Sequence, residues 1–133
     1  MVKINITDEQ RKRGKELYEF NVLNGSVTRG DGNLAGAIGE IIVLDKYSKH
    51  SKYVGDYDYD LLIKDKKIDV KTKRCDYRPD DHHQANIFSF NTTQKCDYYC
   101  FVYVDYKLTR AWIVGWKEKI NFMKKLPLRS EVM

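Results

Sequence analysis

The chain predicts an α/β (α+β) domain with a mixed central β-sheet flanked by helices, and three observations carry that expectation. Helix-like text with capping residues fills the first third of the sequence. Runs rich in Val, Ile, Tyr and Phe follow, set apart by short polar turns. Only two prolines interrupt 133 residues, a length that suits one domain, 1–133, with a real core.

The first helix is expected from about Thr7 to Val22, with Thr7 as its cap and Gln10 spaced to complete a capping box. NVLNGSVTRGDGN, with Gly25, Gly30 and Gly32, reads as a loop. A second helix is expected from about Asn33 to Tyr47, capped by Asn33 or Asp31. YDYDLLI (57–63) and KKIDVKTK (66–73) read as a hairpin turning about Asp65 and Lys66. CDYRPDDHHQ reads as an exposed loop. ANIFSFNTT, DYYCFVYVD and LTRAWIVGW read as three further strands, the last two joined near Tyr106 and Lys107, and KEKINFMKKL as a closing helix. The expected order is α-α-β-β-β-β-β-α.

Hydrophobic content of 42% and charged content of 32% describe a globular chain. No apolar run reaches the roughly 18 residues of a membrane span, and MVKINITDEQ lacks the apolar core of a signal peptide. The expected compartment is the cytoplasm, of a bacterium or a phage-infected cell. Net charge is +5, and between Lys64 and Arg74 six basic side chains stand against two acidic ones. That run suits a polyanion, or alternatively a solvated, aggregation-resistant edge strand. Three cysteines, at 75, 96 and 100, are an odd number and argue against a disulfide framework. On a strand, Cys96 and Cys100 would lie roughly 13 Å apart, too far to share one zinc ion.

The chemistry gathers on the hairpin. In KIDVKTK, strand alternation puts Lys67, Asp69, Lys71 and Lys73 on one face. A turn centred on Asp65 and Lys66 would set Ile63 opposite Ile68, Leu62 opposite Asp69 and Asp60 opposite Lys71. Asp60, Asp69 and Lys71 would then converge on one patch, provided the register holds. The second helix offers a third acid. The helical neighbours of Glu40 are Gly36, Ala37, Leu44 and Tyr47, so Glu40 is expected to face the protein, where a carboxylate needs a partner. Gly36 and Gly39 each cost about 1 kcal/mol relative to alanine in a helix. Close approach to the sheet or to a phosphate backbone would account for them. Each acid also has a plainer reading, as a solvated or locally paired charge.

These residues, Glu40 in GAIGE, Asp60 in YDYDLL and Asp69 with Lys71 in IDVKTK, resemble the PD-(D/E)XK nuclease superfamily, the restriction-endonuclease-like fold. Tyr59 stands where that motif has proline, and Asp69 where glutamate is commoner. The resemblance implies a restriction-endonuclease-like core in which Glu40, Asp60 and Asp69 hold Mg²⁺, with Mn²⁺ able to substitute. Lys71 would orient or help deprotonate the attacking water. The implied activity is hydrolysis of phosphodiester bonds in DNA, RNA not being excluded, and cutting both strands of a duplex would favour a homodimer.

Hard oxygen ligands suit Mg²⁺ on independent grounds. Arg29, Lys73, Arg74 and Arg78 are candidate phosphate contacts. Tyr98, Tyr99, Phe101 and Tyr103 are a stacking platform for bases or else core. The alternative to the enzyme is a non-catalytic nucleic-acid-binding module on the same fold. Three converging carboxylates would hinder it beside a polyanion unless a metal neutralised them.

Overall fold

The computed structural model describes residues 1–24, 31–55, 58–79 and 95–119, with 31 and 32 by their backbone alone. Arg29, His82, His83, Gln84, Gln94, the expected strand at 85–93 and the closing helix from 120 onward lie outside these residues.

Helix α1 runs Asp8–Leu23, and its start is the expected capping box. Thr7 Oγ1 accepts from the Gln10 N–H at 3.1 Å, and the Thr7 N–H donates to Gln10 Oε1 at 3.0 Å. Helix α2 runs Asp31–Lys46, so Asp31 and Asn33 lie inside it and neither is the cap that its residue type suggests. Among the described residues six strands form one mixed sheet: β1 Val2–Asn5, β2 Ser51–Tyr53, β3 Leu61–Ile63, β4 Lys66–Cys75, β5 Tyr98–Asp105 and β6 Arg110–Glu118. Their order in space is β1-β6-β5-β4-β3-β2. Among these described strands only the β4–β5 pair is parallel. Among the described residues, then, the chain is an α+β protein, with elements in the order β-α-α-β-β-β-β-β.

Strands β1 and β2 are absent from the sequence-based expectation because four and three residues are too few to establish a period. The run 57–63 yields a strand only over Leu61–Ile63. Lys117 and Glu118, expected to open a helix, continue β6 instead.

Side-chain alternation divides the core. Ile68 and Val70 of β4, Cys100, Val102 and Val104 of β5, and Ile113 and Trp116 of β6 lie on the face that meets Ile38, Ile42 and Val43 of α2. Tyr99, Phe101 and Tyr103 occupy the opposite face with Trp112 and Val114. Tyr99 and Phe101 have no exposed surface and Tyr103 has 4%, so these rings form core and offer no platform for stacked bases. Cys96 and Cys100 are buried and Cys75 half-buried, all three as free thiols, and burial pushes the Cys96 and Cys75 thiols up to about 11.

Two glycines set how closely the layers pack. A methyl group on Gly14 would come within 2.5 Å of Ile38 Cγ1, so α1 lies hard against α2. One on Gly39 would overlap Thr72 Oγ1 and stand 3.2 Å from Thr72 Cβ, so α2 crosses β4 at closest range there. Gly39→Ala is therefore expected to destabilise the protein by about 1–3 kcal/mol through overpacking. A urea midpoint equal to wild type would remove that account.

Candidate active site

The β3–β4 hairpin turns one position earlier than its charges suggest. Its register pairs Leu61 with Ile68, Leu62 with Lys67 and Ile63 with Lys66, so the turn residues are Lys64 and Asp65. Lys64 adopts a left-handed conformation, φ 54°. The expected opposition of Ile63 to Ile68 is thus displaced by two residues along the partner strand. Displacement by an even number keeps every side chain on its face. Asp60 therefore still meets Asp69, but as its neighbour and no longer as the partner of Lys71.

Backbone contacts fix that meeting. The Asp60 N–H donates to Ile68 O at 2.8 Å, and Asp60 Oδ2 accepts from the Val70 N–H at 2.8 Å. The two bonds bracket Asp69. Beyond Ile68, β4 pairs with β5 on one side, and β3 supplies no partner on the other. The Asp60 carboxylate takes the place of that missing strand at Val70. Val54 and Gly55 in turn donate to Asp60 O at 2.8 and 3.0 Å, tying the end of β2 to the same residue.

Asp69 is 5% exposed, unusual for a carboxylate, and Lys71 Nζ lies 2.9 Å from its Oδ2. Asp69 and Lys71 share a face, as alternation requires. Glu40 enters from the helical layer, one residue past the Gly39–Thr72 crossing, and is half-buried. Helix and hairpin meet where the sheet is open on one side, so the three acids feel one another.

Burial first, and then the charge of Asp69, pushes the Glu40 carboxyl up to about 8, against the pull of a hydrogen bond from Tyr53. Asp60 is held well above the ordinary range by burial and then by the charges of Glu40 and Asp69. Asp69 is raised by burial as well, with Lys71 acting in the opposite sense. The contact between the two aspartates acts in opposite senses, raising Asp60 and lowering Asp69.

Tyr53 is the participant that residue patterns did not suggest. It sits on the three-residue β2, links Asn21 of α1 to Glu40, and is pushed up to about 12 by burial and by the Glu40 charge. The only mark of Tyr53 in the sequence is a single aromatic in SKYVG.

The expected phosphate contacts separate in space. Lys73 follows Asp69 and Lys71 on their face of β4 and is half-buried. Arg74 points to the other face, its Nη2 3.3 Å from Tyr106 O and its guanidinium 5.1 Å from the Tyr106 ring. Arg78 is exposed beyond the strand.

Among the described residues, no three His, Cys, Asp or Glu side chains form a ready-made metal cluster. Mg²⁺ makes a smaller demand, since one or two carboxylates and several waters satisfy it. Asp60, with one oxygen bonded to the Val70 N–H, and the buried Asp69 beside it bring hard oxygen donors of one hairpin together and fit that demand. No family model matches this sequence, and no curated protein matches it.

Proposed function

We propose that the protein is a metal-dependent nuclease of the PD-(D/E)XK kind, hydrolysing phosphodiester bonds in DNA. The observation that carries this reading is the meeting of Asp60 and Asp69 on the hairpin with Glu40 from α2, with Lys71 ion-paired to Asp69 at 2.9 Å; burial raises all three acids, and neighbouring negative charge raises Glu40 and Asp60 further. Three acids facing one another are unfavourable unless something cationic joins them. Asp60 and Asp69, with Glu40 directly or through water, would hold Mg²⁺ or Mn²⁺. When bound, the ion supplies Lewis-acid polarisation of a phosphate oxygen and a lowered pKa for water.

The chain's own groups have distinct tasks. Asp60 spends one oxygen on the Val70 N–H, which leaves the other for a ligand. Asp69 holds the Lys71 ammonium beside the carboxylates, where it can stabilise negative charge building on the phosphate. Tyr53 orients the Glu40 carboxyl. Lys73, on the same face, Arg78 beyond the strand, and Arg29, which lies outside the described residues, are the phosphate contacts of this reading, while Arg74 is engaged by Tyr106. Among the described residues no helix is long and apolar enough to cross a membrane. A cytoplasmic setting and a homodimer for duplex cleavage belong to the same proposal.

Nicking of supercoiled plasmid with Mg²⁺, Mn²⁺ or EDTA tests it, with Lys71→Ala alongside wild type. Wild type nicks with either metal and is silent in EDTA. Lys71→Ala loses on the order of 10²–10³-fold in rate while still binding DNA. Full activity in Lys71→Ala would defeat the assignment of that lysine, and metal-independent nicking would defeat the mechanism.

A further inference from the structure

Helices α1 and α2 contain three glycines among the described side chains, and packing explains two of them. Gly14 makes room for Ile38 and Gly39 for Thr72. Gly36 differs, since no atom of the described residues lies within 4 Å of the point where its Cβ would be. It is interior to α2, so it caps neither end, and its φ is not in the left-handed region. Glycine is among the least favourable residues at such a position. The usual remaining reason for one is that something approaches the backbone closely, and none of the described residues does so here.

Its place narrows the identity of the visitor. Gly36 and Glu40 are four residues apart and therefore stacked on one side of the helix. Helical side chains lean toward the N-terminus, so the Glu40 side chain extends over the turn that holds Gly36. A ligand at the Glu40 carboxylate passes over the bare backbone at Gly36. Flanking residues do not share this openness, since Ala35 and Ala37 are 1% and 3% exposed.

We propose that Gly36 is a substrate-contact position: the absent side chain lets a DNA sugar–phosphate strand lie against α2 as it enters the site beside Glu40. The assignment rests on the nuclease reading and adds a direction to it, with the strand crossing α2 at Gly36 before it reaches the carboxylates and Lys71.

Gly36→Ala and Gly36→Leu in the full chain separate this from a structural role, because stability and binding move in opposite directions. Both variants melt at or above the wild-type temperature. Anisotropy of a fluorescein-labelled duplex is read with Ca²⁺ replacing Mg²⁺, and plasmid nicking with Mg²⁺. Gly36→Leu weakens binding and slows nicking by at least about 10-fold, with Gly36→Ala in between. Wild-type binding and nicking in Gly36→Leu would overturn the contact while leaving the nuclease reading intact. A lowered melting temperature in both variants would make the glycine a requirement of the fold and would also overturn it. If wild type itself neither binds nor nicks, the nuclease reading falls and this inference with it.

Discussion

Asp69→Asn is expected to lower Mg²⁺-dependent nicking by on the order of 10³-fold, about 4 kcal/mol of barrier, without unfolding the protein. The side chain keeps its shape and one carbonyl oxygen, so β4 and its register with β5 persist. Three things are lost together. The site forfeits its most buried negative charge, Lys71 loses its ion-pair partner at 2.9 Å, and a metal ion loses one of two aspartates. Retained activity would mean that the acids at the hairpin are structural. Circular dichroism on the same sample separates a silent site from a lost fold, and calorimetric titration with Mn²⁺ asks whether silence follows metal loss. A variant that binds Mn²⁺ as wild type does, yet is inactive, would place the defect in Lys71 alone.

Stability without metal should fall as pH rises, the reverse of ordinary acid denaturation. Glu40 goes from 4.5 to about 8 on folding, and Asp60 and Asp69 move in the same direction. A raised folded-state pKa means that the fold holds the proton more tightly than the unfolded chain does. The contribution is complete below about 4.5 and is lost as pH rises through about 8. The charged groups facing Glu40 are Asp69 and Asp60, with Lys71 beyond them opposing only through Asp69.

In EDTA, the melting temperature at about pH 8.5 should lie about 5 °C or more below that at about pH 5. Glu40→Gln should flatten the slope. Adding Mg²⁺ should raise the melting temperature more at the higher pH, where the carboxylates are charged and ready to bind it. A melting temperature that climbs from pH 5 to 8.5 in EDTA would contradict this coupling.

How much of this was legible in the residues varies by element, for physical reasons. The α1 capping box was visible because two side chains three apart satisfy two backbone groups locally. The hairpin was visible but its turn was not. Lys64-Asp65-Lys66 has no glycine or asparagine to mark the left-handed position, and a lysine occupies it at φ 54°. The aspartates still came together because the error was an even number of residues. Glu40 could be anticipated from its small and apolar helical neighbours. Tyr53 could not, since a three-residue edge strand has no periodicity to read and its partners lie on α1 and α2. The aromatic run of β5 carried alternation alone, and only the fold reveals that both of its faces are covered.

The single parallel pairing has a consequence for how the protein folds. The β3–β4 and β5–β6 partners are close in sequence, so each hairpin can zip locally, on a timescale of about 1–10 μs. Joining β4 to β5 is different, because Asp69 lines up with Tyr99 only after the intervening chain has looped back. Closing that loop costs entropy before any contact compensates for it, so this seam forms after the hairpins, as does the still longer-range pairing of β1 with β6. The same seam carries Asp69 and Lys71. A newly made chain would therefore acquire its hairpins before its chemistry, and the refolding rate should respond to residues on the two sides of that seam.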